Sequence, residues 1–301
     1  MPTSNSPYRG IFSIVATPFT ESYELDEGSM AKQIRFLVES GVHGLVGPAF
    51  ASEFAVLSDD ERKRWIEIVV AESAGQLPVV ATTHAVHTIP AVAFSRYAQE
   101  IGADAIMNMP PHIVHLSPEG CYSHYQALSE ALDIPIFIQN MIGPVGTPLS
   151  NEMLARMCRE LAWVQYIKEE TLPEPRQISR TIAAAGEACL GVFGGRGGKH
   201  LIDEHRRGAA GNMPGVSVPD LHVELWNRLE AGDQTGARSL FNRLMPLFNL
   251  ETLLGAAIYK EVLYRRGIFA TTLSRTGAYM DEQDHLELEA VLSEIEPLYQ
   301  V

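Results

Sequence analysis

Two hydrophobic patterns take turns along most of the chain. Short continuous apolar runs of strand length alternate with longer stretches whose apolar residues recur every three or four positions. Ile11–Thr17, His43–Gly47, Pro78–Thr82, Ala103–Met107 and Pro135–Gln139 are runs of the first kind. Trp163–Lys168, Cys189–Phe193 and Gly208–Asn212 bring the strands to eight. Helical periodicity covers Gly28–Ser40, Ile89–Ile101, Asn151–Glu160, Pro173–Ala185 and Gly198–Arg207. Ser58-Asp-Asp-Glu61 opens another helix, with Trp65, Ile68 and Val69 on one side, and Ser117-Pro-Glu-Gly opens one more. Strands alternating with helices at intervals of roughly 25–30 residues mean parallel βαβ units. Eight of them predict an α/β fold, a (β/α)8 TIM barrel rather than an open sheet. No Gly/Ser/Pro linker cuts the run, so residues 1–232 are predicted to form the barrel. Beyond Gly232 the strand signal stops, and Thr235–Phe248, Glu251–Arg266 and Asp281–Leu298 predict a C-terminal helical extension over 233–301.

Composition narrows the class. With 301 residues, 46% hydrophobic and 20% charged, the chain has the make-up of a soluble globular protein with a large core. No apolar run approaches the ~20 residues that span a bilayer. The opening Met-Pro-Thr-Ser-Asn-Ser-Pro has neither a basic nor an apolar leader region, so a cytoplasmic location is expected. Cys121, Cys158 and Cys189 are scattered, without the spacing of a disulfide framework or a zinc site. A net charge of −14 argues against nucleic acid or an anionic membrane as partner. It leaves room for a small acidic substrate in a pocket of opposite local character.

In such a barrel the chemistry gathers at the strand carboxyl ends. The stretch Trp163-Val-Gln-Tyr-Ile-Lys-Glu-Glu-Thr171 places Val164, Tyr166 and Lys168 on one face of a strand, and Glu170 continues that face. Thr171 and Glu174 fit a capping box for the next helix. Taken locally, Lys168 is equally readable as a surface lysine in a βα turn. The other strand ends carry Thr17, Ala51-Ser52-Glu53, Thr83-His84, Pro111-His112, Gln139-Asn140, Gly194-Gly-Arg-Gly-Gly198 and Asn212-Met-Pro-Gly215. One lysine among polar groups and glycines suits a nucleophile, which must shed its proton before attacking a carbonyl. His84, His87, His112 and His115 fall on two loops without helical i, i+4 spacing, so no metal is expected. The glycine run lacks the Lys-Ser/Thr of a phosphate loop. It reads as close backbone approach to a ligand carboxylate, or as a turn, with Arg196 either assisting or facing solvent.

With these ends aligned, the chain resembles the dihydrodipicolinate synthase/N-acetylneuraminate lyase family of class I Schiff-base aldolases over nearly its whole length. The resemblance rests on Gly10-Ile-Phe…Ala-Thr-Pro-Phe19, Leu57-Ser-Asp-Asp-Glu-Arg62, the lysine strand, Gly208-Ala-Ala-Gly211 and the C-terminal helices around Lys260. It implies that Lys168 forms an imine with a 2-oxo acid and that no separate cofactor is needed. It also implies a homo-oligomer, tetramer or dimer. Where the family has Gly-Thr-Thr-Gly-Glu, this chain has Ala49-Phe-Ala-Ser-Glu53. Ser52 there keeps a hydroxyl and backbone donors for the substrate carboxylate, and Ala51 replaces a threonine. The family's relay tyrosines become Gln139 and His112, and glutamine cannot exchange a proton near neutral pH.

Phe137-Ile-Gln-Asn140 and Lys168-Glu-Glu-Thr171 are similar to a smaller branch, the 2-keto-3-deoxy-L-arabonate dehydratases. That likeness implies a hydro-lyase acting on a 2-keto-3-deoxy sugar acid in carbohydrate catabolism. Lys168 is then the nucleophile and Glu170 either the acid/base for the leaving hydroxyl or plain helix-start charge. Gln139 either holds a hydroxyl or carboxylate or fills the relay's space. His84, His112, Gly195, Ala51 and the backbone of Met213 are expected to line the substrate. Two alternatives stand beside dehydration: retro-aldol cleavage to pyruvate and an aldehyde, and a non-catalytic barrel that binds a 2-oxo acid.

Overall fold

The computed structural model describes residues 8–142 and 147–301. Eight parallel strands close into a barrel in chain order. They are β1 Gly10–Ile14, β2 Gly44–Gly47, β3 Val79–Thr82, β4 Ala105–Asn108, β5 Ile136–Met141, β6 Val164–Glu170, β7 Gly191–Gly194 and β8 Gly211–Asn212. Between and after them run α1 Glu27–Glu39, α2 Asp59–Ser73, α3 Thr88–Glu100, α4 Pro118–Ala131, α5 Asn151–Glu160, α6 Glu174–Ala185, α7 Leu201–Arg206 and α8 Pro219–Glu230. Three C-terminal helices follow: α9 Gln234–Leu254, α10 Ala256–Arg265 and α11 Glu282–Ile295. The expected (β/α)8 TIM barrel with a helical C-terminal region is the architecture found. Among the described residues no helix is long and apolar enough to cross a membrane.

Local chemistry sets the boundaries. Ser58 and Glu61 form the expected capping box of α2, and Ser117 and Ser150 accept from Gly120 and Met153 N–H at the starts of α4 and α5. The box expected from Thr171 and Glu174 does not form. Pro173 holds the cap position of α6 without a side-chain bond, and Thr171 turns back to Glu169 instead. In the C-terminal region the predicted break before Glu251 is absent. The helix continues through Pro246 because Leu244, Leu247, Phe248 and Leu250 stay buried on its packed side, and it stops only at Gly255, where φ is +54°.

The described chain divides into two compact units. The first comprises Pro78–Gly195 and Asp203–Asn212 with the residues before Gly10. Its centre is aromatic: Phe137 stacks on Tyr166 at 4.5 Å, and Phe193 meets Phe137 edge-on at 5.6 Å. Two of the three scattered cysteines also meet here. The Cys158 and Cys189 thiols, both buried and free, share a hydrogen bond that raises the Cys158 pKa.

The second unit comprises Gly10–Leu77, Arg196–Ile202 and Met213–Val301, so the C-terminal helices belong with β1 and β2. Arg275, beyond α10, grips Glu61 with bonds of 2.6 and 2.9 Å and lies 4.5 Å over the Phe19 ring. This pairing holds the Glu61 carboxyl down at about 2. Thr271 Oγ1 donates to the Phe19 carbonyl at 2.6 Å, a second tie between chain ends.

Candidate active site

In the first unit, β6 brings three of the polar and aromatic candidates onto alternate residues. Tyr166, Lys168 and Glu170 share a face, and the cross-strand pairs are Phe137 with Tyr166, Gln139 with Lys168 and Lys168 with Phe193. Phe137 and Tyr166 lie one same-face step below Gln139 and Lys168, and Phe193 lies level with Lys168. Lys168 and Gln139 are each 2% exposed and Glu170 is 7% exposed. Lys168 Nζ lies 3.3 Å from Glu170 Oε2, and Gln139 Nε2 donates to the same oxygen at 2.8 Å. One carboxylate oxygen therefore meets both the ammonium and the amide. Gln139 Oε1 has no hydrogen-bond partner among the described residues and is free to accept from a ligand hydroxyl.

Gly195 completes this corner. A Cβ there would run into the Glu170 carboxyl, so only a glycine lets the carboxylate fold against the strand end. The neighbouring Gly194 stands in the same relation to Glu204, and Gly197 approaches Glu251 Oε2, 3.3 Å from where its Cβ would be. The glycine run thus does approach carboxylates closely, and they are the protein's own.

The opposite face of β6 is structural. Glu169 accepts from Asn140 Nδ2 at 2.9 Å, from the Thr171 N–H at 2.8 Å and from Thr171 Oγ1 at 2.5 Å. Burial raises its pKa, and these bonds oppose the rise. Asn140 also accepts from Leu149 N–H at 2.8 Å, which ties the chain after β5 to the same strand end. Of the stretch Met141-Ile-Gly-Pro144 at the end of β5, Gly143 and Pro144 lie outside the described residues.

His84 is 1% exposed, and its Nδ1 accepts from the Met109 N–H at 3.1 Å. His112 is half-buried on the loop after β4. A third histidine, His124 on α4, joins a network that sequence reasoning missed. It meets Asn108 Oδ1 at 2.8 Å and Thr88 Oγ1 at 3.0 Å, while Asn108 Nδ2 donates to the Thr83 carbonyl at 2.6 Å. Burial draws the His124 pKa down to about 4, so the ring is neutral at physiological pH. Among the described residues no group of three or more His, Cys, Asp or Glu side chains is placed to hold a metal ion.

Ala51, Ser52 and Met213 belong to the second unit. Ala51 and Ser52 lie in the 3-10 turn Phe50–Ser52 after β2. Ser52 Oγ donates to the Val15 carbonyl at 2.5 Å and accepts from the Ala49 N–H at 3.0 Å. Its own N–H closes the turn on the Ala49 carbonyl. Thr17 Oγ1 donates to the Ser52 carbonyl at 2.6 Å and accepts from the Trp65 indole at 3.1 Å. These bonds lock the segments after β1 and β2 together. Glu53, left-handed at φ +58°, is held by Ser274 Oγ at 2.7 Å and by the fully buried Lys260. Burial lowers the Lys260 pKa, and Glu53 works against that. Met213 directly follows β8 and is 1% exposed.

Sequence reasoning also missed Glu204 and Asn212 as partners. The available signal was helical spacing: Glu204 follows the buried Leu201 by three positions, which puts an acid on the packed side of α7.

A sequence model of the dihydrodipicolinate synthetase family matches residues 7–295. An L-2-keto-3-deoxyarabonate dehydratase of Azospirillum brasilense is 32% identical over 271 residues, 89% of this chain and 87% of that protein. A 4-hydroxy-tetrahydrodipicolinate synthase of Methanothrix thermoacetophila is 30% identical, covering 97% of this chain and 98% of its own. Among solved structures, the dihydrodipicolinate synthase of Thermotoga maritima superposes with a TM-score of 0.89 at 26% identity, covering 95% of this chain and 98% of that one. With barrel, buried lysine and family match in agreement, the chain belongs to the dihydrodipicolinate synthetase family, whose members are lyases of the class I aldolase superfamily.

Proposed function

We propose that this protein dehydrates a 2-keto-3-deoxy sugar acid through an imine on Lys168. Family members work through a covalent lysine Schiff base without metal or cofactor. The observation that carries the finer reading is the shared contact at Glu170 Oε2, with Lys168 at 3.3 Å and Gln139 at 2.8 Å. The dehydratase name of the Azospirillum brasilense relative supports it as well.

Glu170, as carboxylate, takes the proton that Lys168 must lose to become a nucleophile. The free amine attacks C2 of the keto acid, water leaves, and an iminium forms. That positive nitrogen acidifies C3, and Glu170, which gave the lysine's proton to the first departing water, takes the C3 proton to leave an enamine. The enamine pushes out the C4 hydroxyl, which departs as water with the proton held by Glu170. Hydrolysis of the unsaturated iminium returns Lys168 and releases a 3,4-unsaturated 2-oxo acid. Gln139, in place of a proton-relaying phenol, holds the carboxylate by donation and offers its carbonyl to a substrate hydroxyl. In this reading Gly195, His84 and His112 border the sugar chain. The enzyme works in the cytoplasm as a homo-oligomer. Ile113 and Val114, each 67% exposed on the loop after β4, are apolar surface suited to a second copy.

Borohydride reduction in the presence of pyruvate and of a panel of 2-keto-3-deoxy acids tests the imine, with peptide mapping to locate it. A mass gain on Lys168 is expected, absent in Lys168→Arg, and product analysis should yield an unsaturated 2-oxo acid or its tautomer. Pyruvate and an aldehyde as products would replace dehydration by retro-aldol cleavage. No adduct on folded protein would leave a binding barrel without catalysis.

A further inference from the structure

Glu204 sits on α7 with 1% exposure. Its Oε2 accepts from Asn212 Nδ2 at 2.7 Å, and the same amide reaches the Gly195 carbonyl at 3.3 Å. Gly194 and Gly195 each lack a side chain where one would strike a carboxyl, that of Glu204 for Gly194 and that of Glu170 for Gly195. Two buried carboxyls therefore rest against consecutive residues at one strand end. The charged groups facing Glu204 are Glu170 on β6, Glu174 on α6 and Asp203 on its own helix, and all are acidic. Glu204 Oε1 and Asn212 Oδ1 have no hydrogen-bond partner among the described residues. Among the described residues Glu204 thus gets one amide donor and no cation.

We propose that Glu204 is a positioning residue for the dehydration described above, acting across the Gly194–Gly195 backbone to set how readily Glu170 takes and returns its proton. The inference rests on that reading of Glu170. Burial, then the like charges around it, push the Glu204 pKa up to about 8, with Asn212 opposing. While Glu204 is neutral, Glu170 is the one carboxylate of the pair and can accept the Lys168 proton and later release it. Once Glu204 ionises, its charge opposes the Glu170 anion, and the two carboxyls titrate as a coupled pair. Glu170 then holds the proton it has taken more tightly and returns it less readily to the departing hydroxyl, so turnover falls.

The test is kcat against pH, paired with borohydride trapping. Wild type should lose turnover above an ionisation at about 8, by about tenfold per pH unit. Glu204→Gln should remove that alkaline limb and leave trapping on Lys168 intact. Asn212→Leu, which deletes the one bond that lowers the Glu204 pKa, should move the limb to higher pH, and it serves if Glu204→Gln does not fold. Intact trapping with the limb unmoved in both variants, or a wild-type profile without the limb, overturns this inference alone. Absence of trapping in wild type overturns the dehydratase reading and takes this inference with it.

Discussion

Gln139 is the cross-strand partner of Lys168, yet its amide passes the lysine and donates to Glu170 Oε2 at 2.8 Å. A hydrogen bond to a charged group contributes about 1.5–3 kcal/mol, here to the carboxylate form. Gln139→Leu should therefore lower kcat by about 10- to 100-fold, since in the proposed mechanism Glu170 is the base for Lys168 and would no longer be held in place. Imine trapping with excess pyruvate should persist at long incubation. Steady-state rates together with trapping yields check this, and a variant of undiminished kcat would dismiss the amide's role.

Gly195→Ala separates site geometry from stability. Gly195 is not among the residues with left-handed φ, so alanine fits the backbone and only the contact with the Glu170 carboxyl is at stake. Displacing a reacting group by about 1 Å costs on the order of 100-fold in rate. The expected result is a loss of that size in kcat with a thermal midpoint close to wild type. A stability loss without a rate loss would count against the placement of Glu170.

Lys260→Met should be severe for folding. It leaves Glu53, 3% exposed, without its ammonium partner, and orphaning one member of a buried pair costs about 3–5 kcal/mol. Urea unfolding of Lys260→Met and of the double variant with Glu53→Gln measures the effect. The double variant should recover much of the loss.

Stability should be flat over mildly acidic pH and fall above it. Burial draws His124 and His222 down to about 4, so their contribution is present above the ordinary 6.5 and is lost as pH falls toward 4. Burial pushes Glu204 and Glu251 up to about 8, so theirs is present below the ordinary 4.5 and is lost as pH rises through 8. Two groups of each kind offset one another between 4.5 and 6.5. From 6.5 to 8 only the carboxyls act, and the thermal midpoint should decline. Glu251→Gln should halve that decline. Calorimetry across this range checks the sign, and a midpoint rising from 6.5 to 8 would contradict it.

What was legible in the sequence was local. The capping serines, the α5 boundaries and the alternation that puts Lys168 and Glu170 together all depend on neighbours a few positions apart. Thr171 misled because a threonine can bond back to a side chain two residues earlier as well as forward to a helix, and Glu169 won that competition. Cys158 and Cys189 carry no spacing signature, because their meeting is made by the packing of separate elements. Asn108 with His124 and Glu204 with Asn212 are of the same kind. The glycine run was recognisable as a close approach, but which carboxylates would come near it depended on α7 and α9.

Glu169 and Glu170 are the same residue type at adjacent positions, and the strand pleat gives them opposite neighbours. One is a strut between Asn140 and Thr171, and the other faces Lys168 and Gln139. Identical Glu→Asp changes one position apart would therefore act as two different mutations, one loosening the strand end and one shortening an acid's reach. For this stretch of chain, the consequence of a substitution is set by its parity rather than by its chemistry.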